Sequence, residues 1–156
     1  MFRQMRRYKQ ELTEEECIDI LTKEPRGVLA LLGDEDYPYA IPMSHAYVDG
    51  KIYFHGAKEG HKKDAVKKYP KASYCIVDKG IKNEDEWWYT FKSVIVFGKI
   101  RTIDENIEKI DKLRHLGNKF FPTPEETEKE IKRLLDRTEV FELTIEHMSG
   151  KITVEK

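Results

Sequence analysis

The run YAIPMSHAYVDGKIYFHGAKEGHKKDAVKKYP, Tyr39 to Pro70, decides the fold. Its first part alternates, so Tyr39, Ile41, Met43, His45 and Tyr47 share one face of a strand. Ala40, Pro42, Ser44 and Ala46 share the other. Asp49-Gly50 is a tight-turn pair that predicts a hairpin into a second strand, KIYFH, ending at His55. Pro42 has no N–H to give a ladder, so its strand has an edge or a bulge there. A glycine-bearing loop follows, then a helix from about Gly60 to Tyr69 that stops before Pro70.

That helix carries the first chemical signal. Ala65, Val66 and Tyr69 form its apolar stripe, and Lys62 lies three and four residues before two of them. A lysine there is unfavourable twice, because it sits at the positive end of the helix dipole and loses water. A bound anion relieves both, with the free N–H groups of the helix start as partners and Gly60 permitting close approach. The competing account is a stem that snorkels to water. On these residues alone both stay open.

Working outward, Thr13 and Glu16 make a capping box for a first helix, ended by Pro25. RGVLALL reads as a buried strand and GDEDYP as an acidic turn. KASYCIV is a strand, DKGIKNEDE a polar loop, and WWYTFKSVIVFGKIRTI one long strand. Its continuous apolar run from Ser93 to Phe97 predicts burial on both faces. Two helices follow, one capped by Asp104 and one by Thr123 with Pro124 in its first turn. A last strand, EVFELTIEHMSGKITV, has a break expected at Ser149-Gly150. Strands and helices do not alternate regularly, which argues against a parallel sheet. The expectation is a single mainly β domain over 1–156: a six-stranded antiparallel barrel with helices packed outside.

Composition narrows function by exclusion. The chain has 156 residues, 28 Lys and Arg against 29 Asp and Glu, so net charge points to neither nucleic acid nor an anionic membrane. The basic start MFRQMRRYKQ has no apolar run behind it, so it does not read as a signal peptide. Cys17 and Cys75 form no CxxC pair, and two reduced thiols suit a cytoplasmic protein. No dinucleotide, Walker, nucleophile-elbow or HExxH motif occurs. The five histidines complete no metal-ligand spacing, so no metal is expected. The small-residue face around Pro42 and Ser44 leaves a slot for a flat ring, or for a packed neighbour. Ser93 opens the most apolar strand, and its hydroxyl needs a partner, either a ligand or a nearby carbonyl. Trp87-Trp88 offers one ring to the core and one to a partner or ligand.

IPMSHAYVDGKIYFHGAKEGHKKDAV, YTFKSVIVFGKI and LTIEHMSGK, in that order, resemble the FMN-binding split-barrel proteins related to pyridoxamine 5′-phosphate oxidase. Among these the chain most resembles the nitroimidazole-resistance branch, from about Arg26 to Lys151. The resemblance implies a six-stranded split barrel forming a homodimer, with FMN at the subunit interface. It implies that Pro42, Met43 and Ser44 line the flavin ring and that His55 stands beside it as catalytic residue. It implies that Gly60, His61 and Lys62 hold the phosphate and that Ser93 reaches the cofactor. The oxidases carry an arginine where His61 stands, and their C-terminal substrate-gripping segment is not recognisable, which argues against the vitamin oxidase activity. The implied activity is an FMN-dependent oxidoreductase taking electrons from NAD(P)H or a protein donor to a small acceptor such as a nitroaromatic. A flavin store or sensor, or a haem- or deazaflavin-binding relative, are the alternatives.

Overall fold

A run of strand that changes partners half-way organises the molecule. The computed structural model describes residues 1–156. The helices are α1 (Glu14–Lys23), α2 (His61–Lys68), α3 (Asn106–Phe120) and α4 (Pro124–Leu134). The strands are β1 (Arg26–Leu32), β2 (Pro38–Ser44), β3 (Ala46–Val48), β4 (Lys51–Ala57), β5 (Lys71–Val77), β6 (Thr90–Thr102) and β7 (Thr138–Val154). All pairings are antiparallel, in the order β2-β1-β5-β6-β7-β4-β3. The two edge strands, β2 and β3, are joined through the single residue His45. The sheet therefore curls until its edges meet, which is a split barrel.

Seven strands replace the expected six because Tyr39–Val48 is two strands. β2 pairs with β1 and β3 pairs with β4. Between them the His45 ring turns into the interior, fully buried. Its Nε2 lies 2.6 Å from the Leu21 carbonyl and its Nδ1 2.9 Å from the Tyr74 hydroxyl. That hydroxyl also lies 2.7 Å from the Met43 carbonyl. A neutral imidazole fits: Nε2–H donates to Leu21, and Nδ1 competes with the Met43 carbonyl for the one phenolic proton. Pro42 falls on the edge strand, as its missing N–H requires.

Burial, reinforced by the Lys119 ammonium, lowers the His45 pKa from 6.5 to about 4. Between those values the unfolded chain takes a proton that the native state refuses. Stability therefore falls as pH drops through this window, by about 3 kcal/mol in all. Urea melts of wild type and His45→Gln at pH 7.5 and 4.5 check this, because only the wild type carries the extra loss. Equal losses in both proteins would remove His45 as the cause.

The inner face of the curl holds one core, including Leu29, Phe54, Tyr74, Ile76, Val94, Val96 and Phe141. A second cluster lies outside β4 and β7, where Tyr53 and Val140 meet Leu113 and Leu116 of α3. Other expectations shift at their edges. The run Ser93–Phe97 is buried on one face only, with Ile95 and Phe97 each 40% exposed on the other. Trp87 and Trp88 precede β6 instead of opening it, and Trp87 is exposed. Glu105 caps α3 in place of Asp104, its carboxylate accepting from Ile107 and Glu108 N–H. β7 runs unbroken past Ser149-Gly150, and the irregularity falls where Phe97 pairs with His147 but Gly98 with Ile145. Glu146 is the extra residue of that bulge.

Candidate functional site

β4 continues two residues beyond His55, through Gly56 to Ala57, and this extension builds the site. Alternation puts Phe54 and Gly56 on the inner face and Tyr53 and His55 on the outer. Gly56 has no side chain because Lys62 lies there: a Cβ at Gly56 would stand 2.5 Å from the Lys62 ammonium. Glycine within a strand marks close approach, and here what approaches is a cation.

The Lys62 ammonium is half-buried in the seam between β2 and β4. Its neighbours are the Met43 sulfur at 3.4 Å and the Phe141 ring at 5.3 Å. Neither neutralises a charge, and burial lowers the lysine's pKa. Lys63, the next residue, is paired with the Glu139 carboxylate at 2.8 Å. Buried Lys109 of α3 lies 3.5 Å from the same carboxylate. Two of the three cations thus share the local anion, and Lys62 has none.

Lys62 also stands in the first turn of α2. The cap residue Gly60 has φ +112°, a conformation suited to glycine, and gives no side-chain cap. The N–H groups of the first turn have no partner within a helix. His61 is turned away. Its ring stacks on Tyr39 with centroids 4.0 Å apart and its Nε2 accepts from the Asp34 N–H at 3.2 Å.

On the outer face, His55 and Ser44 line one cavity of about 180 Å³. Its far wall is Leu116 and Phe120 of α3 with Ile131 and Leu134 of α4. The two helices touch where Gly117 meets Thr127: a Cβ on Gly117 would lie 2.4 Å from the Thr127 methyl. His55 is exposed at the cavity's edge, and the surrounding protein and the Lys62 charge lower its pKa.

Lys62, Gly60 and Met43 therefore come together on the inner side of the seam, and Ser44 and His55 on the outer side. Pro42 is exposed on the outward face of β2. Ser93 also faces outward, but in a groove with Arg3, Met5 and Lys151, apart from both groups within one chain. Gly56, Phe141 and the α3–α4 wall were missed from sequence. Only Gly56 left a signal, as a glycine inside an apolar strand ending.

No three His, Cys, Asp or Glu side chains gather closely enough to hold a metal ion. No helix is long and apolar enough to cross a membrane.

A curled antiparallel sheet closed through His45, with a cation seated in its seam, defines a split-barrel protein. The chain belongs to the pyridoxamine 5′-phosphate oxidase family, whose sequence pattern matches residues 13–152. Solved structures share the fold. One is a conserved hypothetical protein from Mycobacterium tuberculosis, 17% identical with TM-score 0.81, over 95% of this chain and 90% of that one. Another is a candidate 5-nitroimidazole antibiotic resistance protein from Bacteroides thetaiotaomicron, 16% identical with TM-score 0.76, over 92% and 87%. A third is a FAD-binding protein from Mesorhizobium loti, 23% identical with TM-score 0.71, over 92% and 97%. No curated protein matches the chain.

Proposed function

We propose that this protein binds FMN and is an FMN-dependent oxidoreductase acting on a small acceptor, such as a nitroaromatic. The observation that carries the proposal is the Lys62 ammonium, half-buried beside Gly56 without a carboxylate while Lys63 next to it has one. A phosphate in the seam would receive this cation and the first-turn N–H groups of α2 together. Family membership and the FAD-binding relative of the same fold agree with a flavin.

When bound, the flavin supplies electron transfer between a reduced donor, NAD(P)H or a protein, and the acceptor. The chain's own residues orient and protonate. Met43 and the backbone around it form the seam wall at Lys62. Ser44 and His55 offer hydrogen bonds on the outer side. A neutral imidazole, with one nitrogen donating and the other accepting, suits contact with an acceptor or delivery of a proton to it.

The functional unit in this proposal is a homodimer. Val28, Cys75 and Ile95 stand side by side across β1, β5 and β6 on the outward face. Val28, Ile95 and nearby Phe97 are exposed, a patch suited to a second copy. Pro42 and Ser93 face the same way, so a partner seated there would bring them near a shared cofactor.

One preparation tests this. The purified protein is expected to be yellow, to release FMN by mass spectrometry, and to show twice the chain mass by light scattering. NAD(P)H should bleach the flavin absorbance, and a nitroaromatic should restore it. A protein that stays colourless with added FMN would sink the proposal. A yellow protein that no donor reduces would make it a flavin store.

A further inference from the structure

The α3–α4 cavity stands on the opposite face of β4 from Lys62, so a phosphate held in the seam leaves it free. We propose that it binds a single aromatic ring carrying one hydrogen-bonding substituent, with the ring between α3 and α4 and the substituent at Ser44 and His55. Its role as the acceptor site rests on the flavin assignment above; its occupancy by a ring does not.

Size sets the first limit. The volume is about 180 Å³. A cavity of about 150 Å³ takes benzene, so this one takes one ring and a small substituent.

Chemistry sets the second. The wall is apolar: Leu113, Leu116 and Phe120 on one helix, Ile131 and Leu134 on the other. Such a lining, with a few convergent polar groups at one end, is the usual form of a small-molecule site. Of the polar residues there, Thr138 donates its hydroxyl to the Leu134 carbonyl, Thr127 donates its own to the Thr123 carbonyl, and Glu130 is held by a bidentate Arg133. Ser44 and His55 are the pair left to meet a ligand, and they come from different strands, β2 and β4. Both belong to the seam, so the ring's substituent points toward the strand end that carries the cradle.

Third, the cavity is held open by structure. Gly117 and Thr127 fix the helix crossing at van der Waals contact. The Lys119 ammonium ties the end of α3 to the Glu24 carbonyl at 2.6 Å. The helices cannot close on the void without breaking these contacts.

Benzyl alcohol and toluene are the probes, titrated into methyl-labelled full-length protein and followed by NMR. Benzyl alcohol is expected to shift the methyls of Leu116, Ile131 and Leu134 saturably, and to bind several-fold more tightly than toluene. Leu134→Trp should weaken both at least tenfold by filling the space. Ile131→Phe serves if that variant fails to fold. His55→Ala should abolish the preference for the alcohol while leaving toluene unchanged. Absence of saturable shifts, or indifference to the filling substitution, overturns the site. An unchanged preference in His55→Ala overturns the orientation. Lys62→Ala should not alter either probe, so a protein that binds benzyl alcohol but no flavin refutes the cofactor assignment and leaves this one standing.

Discussion

Lys62→Ala is expected to lower FMN affinity roughly 10- to 150-fold, or about 1.5–3 kcal/mol, the range for a hydrogen bond to a charged group. Riboflavin, which has the ring without the phosphate, should bind wild type and variant alike. The difference between the two ligands isolates the phosphate contact from any general damage to the seam. The apo-protein should not lose stability, because the side chain removed is a half-buried cation with no anion beside it. Flavin fluorescence titration reads the affinities and urea melts read the stability. Equal weakening for FMN and riboflavin would mean that Lys62 supports the seam without touching a phosphate.

Gly98→Ala should have the largest effect on folding. A Cβ there would lie 2.0 Å from the Thr144 carbonyl oxygen, an atom of the neighbouring backbone. Backbone cannot rotate away as a side-chain end can, so β6 and β7 must separate at their bulge. The cost is about 3 kcal/mol, at the upper end for overpacked cores. For a chain of this length that lowers the melting temperature by roughly 6–12 °C. Gly56→Ala is the matched control. Its new methyl would meet only the tip of Lys62, which can swing out, so it should melt close to wild type. If Gly98→Ala melts like Gly56→Ala, the bulge has slack that its geometry does not show.

Much of this was legible in the sequence, for identifiable reasons. The Asp49-Gly50 hairpin, the Thr13 capping box and Pro124 are local signals, and each forms as its own chemistry dictates. Lys62 was legible because helical periodicity fixes its face whatever the rest of the chain does. The break at His45 was not, because it depends on Leu21 and Tyr74, 24 residues before and 29 after. Alternation through Tyr39–Val48 is regular, and nothing in it marks a change of partner. Likewise Ile95 and Phe97 match a strand buried twice over, yet on their outward side the chain offers only its N-terminal segment, with Phe2 stacked on Phe97, and each stays 40% exposed. The cavity could not be read at all, since its wall joins α3 and α4 to a strand end some 60 residues earlier in the chain.

The position of β7 in the sheet has a consequence for how the molecule comes into being. β7 is the last strand of the chain, yet it lies between β6 and β4. Until it arrives, β4 has only the three-residue β3 beside it, and Gly56 waits for Glu139, its partner in the final register. Closing that loop is the costly, late kind of contact in a folding chain. A ribosome-bound chain that ends before Thr138 therefore has the helix and lysine of the seam without the strand that sets them in place. Ligand binding in the seam would then wait for β7, so a flavin signal followed during refolding would time the final step of folding.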